Sequence, residues 1–490
     1  MTPSPVFGGS SRQARALWRG LGLLALAAGG GGVLYLFRPG ALTDDTYAFL
    51  DWGRDLRHGY LPLLEHRTFH PLPIVAGAVL SLLGSAAPTI TVLLALAGLV
   101  LLAVAAWRVV EILGFVQPAP ALAAVLVLSS PLLSLLAQVA YINLPFATLL
   151  LWALVFELKG RPTGAWVLLV TAGLVRPEGW AFLLAYGALQ WWRAGRQRAP
   201  RSWLALAALS LGPMALWLLL EWRLFGDPLY SFTNTRAPNV QATGSGSVSG
   251  LWESLQFGVV RAPLVAAAVG AVAVARLAPR RLAATILGMT AVAVFTILVL
   301  ATSKFNVPSR QFSALVPLLY ILAAAGAAAP ARLLARRGSG SPRARAATAA
   351  AGAALVAGLA VAPTVNLLRH NLKTVRVAHE LRGTLDQALA QTARFIDVRG
   401  AQRHTVAMVG ALDDSQVAWG LGVPYNVVTG GVVPQTRMIV EPSGSLYSRL
   451  GRLGLTNRAR LLPPSVWRLV VATGDWRVWV LGRHTPIRLR

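Results

Sequence analysis

The chain is 490 residues long, with 55% hydrophobic and only 13% charged residues, which excludes a water-soluble globular protein and indicates a membrane protein. The formal net charge of +27 does not indicate nucleic-acid binding, because most arginines stand in short clusters beside apolar blocks. The absence of cysteine excludes a disulfide framework, a thiolate metal site and a cysteine nucleophile. The apolar blocks are about 18 to 25 residues long, the length a helix needs to cross a bilayer.

These blocks predict about eleven transmembrane helices after a cytoplasmic N-terminus. The predicted spans are 19–37, 88–107, 119–137, 143–157, 164–176, 178–192, 202–222, 254–275, 282–301, 312–330 and 346–363. The first block follows three arginines and could instead be a cleavable signal peptide. The segment Pro71–Gly84 is too short for a span and starts at a proline, so it is predicted to lie at or dip into the outer surface.

The arginine clusters fix the orientation of these spans in a multi-pass plasma-membrane protein. With this assignment every cluster faces the cytoplasm: Lys159/Arg161, Arg193/Arg196/Arg198/Arg201, Arg276/Arg280/Arg281 and Arg332/Arg336/Arg337/Arg343/Arg345. The stretches without such clusters face outward: 42–71, 176–179, 226–250, 303–310 and everything after Thr364. A rival map makes 71–84 a span and fuses 164–192 into one helix, but it puts Lys159 and Arg161 outside.

The tail after the last span has the pattern of a small water-exposed domain. Leucine and valine recur at three- or four-residue steps from Leu368 to Leu389, which predicts an amphipathic helix. Residues 405–409 predict a strand, and 466–472 with 476–481 predict a hairpin. The fold class is therefore an all-α polytopic membrane domain, residues 1–364, followed by a small extracytoplasmic α/β domain, residues 365–490.

The first outer loop, residues 38–87, concentrates the few acidic side chains of the chain. Of 18 Asp and Glu residues, five lie in this loop: Asp44, Asp45, Asp51, Asp55 and Glu65. A carboxylate beside a second one near the low-dielectric membrane can accept a proton from a hydroxyl, which makes Asp44 and Asp45 candidate general bases. The alternative is a solvated helix N-cap, because Thr43-Asp44-Asp45 precedes a helical pattern.

Two polar segments are candidate substrate contacts. His66 and His70 precede the apolar segment at Pro71, and their spacing does not favour a metal site over substrate contact. The loop after Phe225 mixes aromatic and hydrogen-bonding side chains, of which Asp227, Tyr230 and Asn234 are candidates for binding a sugar; the alternative is an ordered loop with interfacial aromatics.

Ionisable residues also interrupt the apolar blocks further along the chain. Arg176 and Glu178 stand in a Pro-Gly turn, where they are either functional, with Glu178 as a candidate substrate-binding residue, or a mutually paired outer turn. Lys304 and Arg310 flank another outer loop and, with Arg176, could hold a phosphate at the membrane surface. The alternative for these cations is ordinary contact with lipid headgroups.

The order of these motifs resembles the GT-C glycosyltransferases. Asp-Asp-Thr-Tyr follows a span, His-Pro-Leu precedes an apolar helix, Arg-Pro-Glu-Gly lies between short helices, Gly-Asp-Pro-Leu-Tyr follows, and an arginine opens a Leu/Pro-rich span. The resemblance covers residues 20–330. The family comprises membrane enzymes that depend on polyprenyl-phosphate sugars, including protein O-mannosyltransferases, lipid A aminoarabinose transferases and actinobacterial terminal arabinosyltransferases.

The resemblance implies transfer of a sugar from a polyprenyl-phosphate donor to a hydroxyl of a glycan, lipid or protein on the extracytoplasmic face. Asp44 or Asp45 would be the base, while Arg176 and Arg310, and more weakly Lys304, would bind the donor phosphate. The donor would be a monophosphate and the transfer inverting. Because there is only one aspartate pair and no second acidic cluster near it, an obligatory metal is not expected, although relatives with diphosphate donors bind one. No other cofactor is expected. Nucleic acid is not an expected partner.

Two functions from other classes compete with this interpretation. A transporter or lipid flippase would use the outer acidic residues to bind a solute, and it should carry ionisable residues near the midplane of several spans or a repeated half-structure. Most acidic residues of the apolar blocks lie near span ends instead. A membrane scaffold that displays the tail would leave the clustered acidic residues of the first outer loop unexplained.

Overall fold

The computed structural model describes residues 42–59, 68–115, 117–194, 200–233, 255–256, 261–302, 309–338 and 341–392, and parts of the tail. The described parts of the tail are 406–408, 417, 421, 428–429, 438–442, 467–472 and 476–481. The predicted first span, 19–37, lies outside the described residues.

Helices make up almost all of the described membrane portion. The α-helices are α1 (Asp44–Arg57), α2 (Pro71–Leu80), α3 (Ala87–Ile112), α4 (Ala119–Leu128), α5 (Pro131–Gln138), α6 (Asn143–Leu158), α7 (Pro162–Val175), α8 (Gly179–Ala194), α9 (Pro200–Phe225), α10 (Arg261–Leu277), α11 (Arg280–Thr302), α12 (Leu315–Arg336) and α13 (Pro342–Thr392). Two 3₁₀-helices, Ser81–Ala86 and Ser309–Ala314, precede α3 and α12.

The predicted number of about eleven spans is not confirmed by the described residues. Five helical segments are long and apolar enough to cross a membrane: Pro71–Ile112, Leu204–Phe225, Arg280–Ala301, Ser309–Arg336 and Pro342–Val377. The pair α4 and α5, bent by 51°, gives a sixth if it counts as one broken span. The predicted spans 143–157 and 164–176 correspond to α6 and α7, which are apolar but only 16 and 14 residues long.

Two breaks in the helical backbone correspond to breaks expected from the sequence. Gly84 has φ 57° and ψ −131°, so the helical hydrogen bonding is interrupted between α2 and α3. At about 1.5 Å per residue, the 10 residues of α2 are too short to cross the hydrocarbon on their own. Arg176 has an extended backbone with φ −147° and ψ 140°, which separates α7 from α8 rather than fusing 164–192 into one helix.

Glycine lets the helices approach closely at two places in the membrane portion. A Cβ added at Gly270 of α10 would stand 1.7 Å from the Leu322 carbonyl oxygen of α12, and one at Gly326 would stand 2.1 Å from the Ala266 oxygen. Likewise, a Cβ at Gly352 of α13 would meet the Ala327 oxygen at 2.2 Å. Small residues at helix crossings are the usual basis of packing in lipid, so α12 is held between α10 and α13 by backbone contact.

The tail forms a sheet that packs against the end of α13. Its strands are β1 (Val406–Met408), β2 (Val428–Thr429), β3 (Met438–Pro442), β4 (Trp467–Ala472) and β5 (Trp476–Leu481), in the order β2-β1-β3-β5-β4. Strand β1 pairs in parallel with β2 and β3, whereas β3–β5 and β5–β4 are antiparallel. The predicted hairpin is therefore confirmed as β4 and β5.

One helix joins the membrane portion to this sheet. Helix α13 runs from Pro342 to Thr392 and crosses the predicted domain boundary at 364. Pro363 lies inside this helix and does not end it. The Trp476 indole of β5 donates a hydrogen bond of 3.0 Å to the hydroxyl of Thr384 on α13. Trp52 of α1 belongs to the same buried apolar cluster as Trp476, so the sheet lies at the same end of the molecule as α1.

Candidate active site

The start of α1 is fixed against the turn between α5 and α6. Thr43 is the N-cap, and its hydroxyl accepts a hydrogen bond of 3.2 Å from the Thr46 amide, as the predicted N-cap requires. The Thr46 hydroxyl donates to the carbonyls of Val139 and Ala140, each at 3.3 Å. These bonds place the first turn of α1, which contains Asp44 and Asp45, over this turn.

Asp45 meets an arginine and a tyrosine from two other parts of the chain. The Tyr141 hydroxyl donates a hydrogen bond to the Asp45 carboxylate. The Arg310 guanidinium lies 3.7 Å from the same carboxylate oxygen and 4.9 Å from the centre of the Tyr141 ring. The side chains of Asp45 and Arg310 remain 40% and 44% exposed. Two of the predicted site residues, Asp45 and Arg310, are thus brought together at an accessible position.

Arg176 is buried and its guanidinium is occupied by protein partners. Its Nε and Nη2 donate to the two carboxylate oxygens of Glu178 at 3.1 and 2.6 Å, and Nη2 also donates to Gln311 at 3.0 Å. Its Nη1 donates to the side-chain oxygen of Asn143. Burial alone would raise the pKa of Glu178, but the Arg176 charge and hydrogen bonds hold that pKa below its usual value.

The Arg176 network reaches the segment that carries Arg310. Asn143, at the start of α6, donates 2.8 Å to the Arg310 carbonyl oxygen, and Gln311 is the next residue along the same 3₁₀-helix. Arg176 therefore contacts Asn143, which binds the Arg310 carbonyl, and Gln311, which follows Arg310 in the chain. Arg176 thus helps to fix the backbone around Arg310. The Arg310 side chain is partly exposed and can contact a ligand.

His70 lies in the interior beside this network. It is 7% exposed, its Nδ1 contacts the Val175 carbonyl at 2.9 Å, and its ring meets the rings of Phe49 and Trp217 edge-on. Burial is the main cause that lowers the pKa of His70 from 6.5 to about 4, and the nearby Arg176 charge acts in the same direction. These contacts hold His70 in the packing between α1, α2 and α9, and they do not favour its predicted role in substrate contact.

Asp227 and Tyr230 are held by contacts within their own loop. Asp227 accepts hydrogen bonds from the Leu229 amide at 2.8 Å and the Thr233 hydroxyl at 3.0 Å. The Tyr230 ring stacks on Phe225 with 4.3 Å between ring centres. Their predicted role in sugar binding stays a prediction.

Three predicted site residues, and the side chain of a fourth, lie outside the part of the chain that the structure describes. His66, Lys304 and Asn234 lie outside the described residues, as does the side chain of Asp44, although its backbone begins α1. Among the residues that are described, no three His, Asp or Glu side chains come together as a metal site would require.

Three residues of the site were not expected from the sequence: Tyr141, Asn143 and Gln311. Tyr141 and Asn143 stand where the predicted span 119–137 has ended and the span 143–157 begins, and a phenol and an amide at this junction are the visible signal. Gln311 directly follows Arg310, and nothing in the local pattern distinguishes it.

Solved structures share this fold, whereas no family model and no curated protein matches the sequence. ArnT from Cupriavidus metallidurans bound to undecaprenyl phosphate is 17% identical, with a TM-score of 0.59 over 94% of this chain and 97% of that one. The same protein in the apo state gives a TM-score of 0.57 over 96% and 98%, also at 17% identity.

A more distant structure is the Archaeoglobus fulgidus oligosaccharyltransferase tethered to an acceptor peptide with an NVT sequon. It is 12% identical, with a TM-score of 0.51 over 86% of this chain and 69% of that one. These proteins are GT-C glycosyltransferases, so the resemblance seen in the order of motifs is confirmed at the level of the fold.

Proposed function

We propose that this protein, which has the fold of the GT-C glycosyltransferases, transfers a sugar from a polyprenyl-phosphate donor to an acceptor hydroxyl at the extracytoplasmic membrane surface. The observation that carries the proposal is the pair of partly exposed, oppositely charged groups of Asp45 and Arg310, 3.7 Å apart. Support for the donor class comes from ArnT, whose structure contains undecaprenyl phosphate and aligns over nearly its whole length.

The two charges suit the two halves of a displacement at the anomeric carbon. The acceptor oxygen forms a bond to that carbon as the bond to the phosphate oxygen breaks, and the electron pair leaves with polyprenyl phosphate. The hydroxyl proton passes to the Asp45 carboxylate, while Arg310 stabilises the negative charge of the departing phosphate. Attack opposite the leaving group inverts the configuration of the sugar.

Tyr141 and Arg176 have supporting parts in this proposal. The Tyr141 hydroxyl donates to the Asp45 carboxylate, so it fixes the orientation of that carboxylate toward the acceptor. Arg176 and Asn143 hold the backbone around Arg310. A guanidinium with five N–H donors can contact a phosphate and a carboxylate together, so Arg310 can keep its contact with Asp45 when the donor binds.

The proposal is tested by asking which variants of the protein restore the glycans that a deletion strain lacks. The gene is deleted in its native host, the lipid and envelope glycans are compared by mass analysis, and the missing species is sought after complementation with Asp44→Asn, Asp45→Asn or the unaltered chain. We expect Asp45→Asn to lower transfer by at least about 100-fold, the usual size of a general-base contribution.

The control for lost charge is Glu111→Gln, because Glu111 pairs with Arg108 on α3 and lies outside the proposed site. This variant should restore the glycan fully at equal protein level. Full restoration by both aspartate variants would contradict the proposed base, and an unchanged glycan profile in the deletion strain would contradict sugar transfer itself.

A further inference from the structure

A second charged cluster lies at the other end of the helices that form the candidate active site. Asn143 begins α6 within the Arg176 network, and Glu157 stands fourteen residues later on the same helix, about 21 Å away at 1.5 Å per residue. Glu157 is 5% exposed. The Tyr186 hydroxyl and the Gln190 amide donate to it at 2.7 and 3.3 Å.

Two arginines share this one carboxylate. Arg193 of α8 donates to Glu157 and also to the Thr285 hydroxyl of α11, the latter at 3.3 Å. Arg281, at the start of α11, lies 3.6 Å from Glu157 and its side chain is 65% exposed. Two positive charges against one negative charge leave the cluster with a net charge of +1. The more exposed guanidinium, that of Arg281, can reach an additional anion.

An apolar cavity of about 290 Å³ adjoins the cluster between α6, α7, α8 and α11. Its walls are mainly alanine, leucine and other apolar side chains, and Glu157, Tyr186 and Thr285 are the polar groups that line it. Helix α11 exposes large apolar side chains such as Phe295 and Leu298. Ala284 and Gly288 of the same helix line the cavity and are exposed, so the cavity opens at the apolar surface of the helices.

We propose that this cavity and its arginines form a binding site for an anionic glycerophospholipid, on the opposite side of the membrane from Asp45. The headgroup phosphate binds Arg281 beside Arg193, and an acyl chain occupies the apolar cavity. Basic pockets between membrane helices are suited to this class of lipid, because charge and hydrocarbon are recognised together. Exposed Lys159, Arg161 and Arg280 at the same helix ends add positive potential around the headgroup.

Gly288 offers a way to fill the cavity without disturbing the helices around it. It lines the cavity on α11, and a Cβ added there has nothing within 4 Å. In Gly288→Leu the new side chain should therefore occupy the position of the acyl chain. Gly358→Leu on α13 is the matched control, because a Cβ there also meets nothing within 4 Å and Gly358 does not line the cavity.

The experiment measures the thermal unfolding midpoint of the full-length protein in detergent with added phosphatidylglycerol or phosphatidylcholine. We expect phosphatidylglycerol to raise the midpoint more than phosphatidylcholine, and Gly288→Leu and Arg281→Gln each to remove most of that difference. Gly358→Leu and Arg343→Gln, which changes an exposed arginine on α13, should retain it. Inorganic phosphate alone should give no shift, because it lacks the chain that fills the cavity.

Several results would overturn the site. Equal effects of the two lipids on the unaltered protein would remove the need for an anionic headgroup, and an undiminished response in Gly288→Leu would place the lipid elsewhere. Stabilisation by undecaprenyl phosphate in place of phosphatidylglycerol, lost in Gly288→Leu, would assign the cavity to a polyprenyl chain. Because these measurements involve no sugar transfer, they stand or fall independently of the proposed enzyme activity.

Discussion

The guanidinium of Arg310 lies 3.7 Å from the carboxylate of Asp45, although 265 residues separate the two in the chain. Each residue has its own protein partner. The Tyr141 hydroxyl donates to Asp45 at the start of α1, and Asn143 donates to the backbone carbonyl of Arg310. The pair joins the first turn of α1 to the 3₁₀-helix that precedes α12. A site assembled this way depends on the packing of several helices rather than on one local motif.

The first prediction concerns Arg310 as the group that binds the donor phosphate. Arg310→Gln should weaken binding of undecaprenyl phosphate and lower transfer by about 100-fold, since removal of one donor to a developing negative charge typically has this size. Arg310→Lys should recover part of the loss because it retains the charge without the planar fork. Binding is measured with the purified protein by lipid-induced thermal stabilisation.

The control for this measurement is Arg108→Gln, which removes an arginine paired with Glu111 on the outside of α3. It should bind undecaprenyl phosphate as the unaltered protein does. Equal binding by Arg310→Gln and the unaltered chain would contradict a phosphate role for Arg310.

A second prediction treats Arg176 and Glu178 as a buried pair that positions other residues. Arg176→Gln leaves the Glu178 carboxylate buried without its partner, a change that typically costs about 3 to 5 kcal/mol. Adding Glu178→Gln should recover stability, because two neutral amides replace an unpaired charge. The thermal unfolding midpoints of the two single variants and the double variant measure this coupling. If the two losses simply add, the pair does not act as a unit.

A third prediction rests on the contact between α1 and α2. A Cβ at Gly77 would stand 2.0 Å from the Phe49 carbonyl oxygen, and one at Gly53 would stand 2.1 Å from the Ala78 amide nitrogen. Gly77→Ala must therefore displace α1, which carries Asp45, at a cost of about 1 to 3 kcal/mol. Gly212→Ala in α9, where a Cβ meets nothing within 4 Å, is the control.

For Gly77→Ala we expect both a lower unfolding midpoint and reduced restoration of the glycan. The control should match the unaltered protein in both measurements. Normal activity in a destabilised Gly77→Ala variant would show that the exact position of α1 is not needed for transfer.

The sequence was sufficient to predict features that depend on local chemistry. The N-cap at Thr43, the break at Arg176 and the β4–β5 hairpin each follow from a few adjacent residues, and the structure confirms them. The contacts of Arg176 with Asn143 and Gln311 could not be predicted in this way. They arise where α6 meets the segment before α12, and that meeting is decided by the packing of helices.

The domain boundary at 364 stays a prediction, and it falls inside one continuous helix. The apolar stretch ends near 363 and an amphipathic pattern follows from Leu368, and the structure joins the two as one helix, α13, that continues to Thr392. Near the C-terminal end of α13, Leu385 and Leu389 belong to the same buried apolar cluster as Val440 and Val478 of the sheet. Hydropathy reports the change of surroundings along a helix, and it does not report the continuity of the backbone.

A fourth prediction concerns orientation in the membrane. Leu229, which follows α9, and Arg161, which precedes α7, are both exposed, and the arginine pattern places Leu229 outside and Arg161 inside. Because the chain has no cysteine, Leu229→Cys and Arg161→Cys each create a single labelling site. A membrane-impermeant maleimide should label Leu229→Cys in intact cells and Arg161→Cys only after permeabilisation. The reverse pattern would invert the predicted topology.

The last prediction follows from the burial of His70. Its folded-state pKa of about 4 lies below the ordinary value of 6.5, so the neutral ring is the form that the folded protein favours. Below pH 6.5 the unfolded chain binds a proton that the folded chain does not, and the stability from this residue is lost as the pH falls from 6.5 towards 4. His70→Asn can retain a donor to the Val175 carbonyl and does not titrate, so its unfolding midpoint should fall less over this range.

Carboxylates titrate in the same range, so the comparison between variants carries the test rather than the slope of one curve. His58 is the matched control, because it is exposed and its Nδ1 also contacts a backbone carbonyl, that of Arg54, at 2.9 Å. We expect His70→Asn to reduce the dependence on pH more than His58→Asn does. If His70→Asn and His58→Asn give the same dependence, then protonation of His70 contributes nothing to acid destabilisation. In that case the ring is not held in its neutral form by the surrounding aromatic side chains.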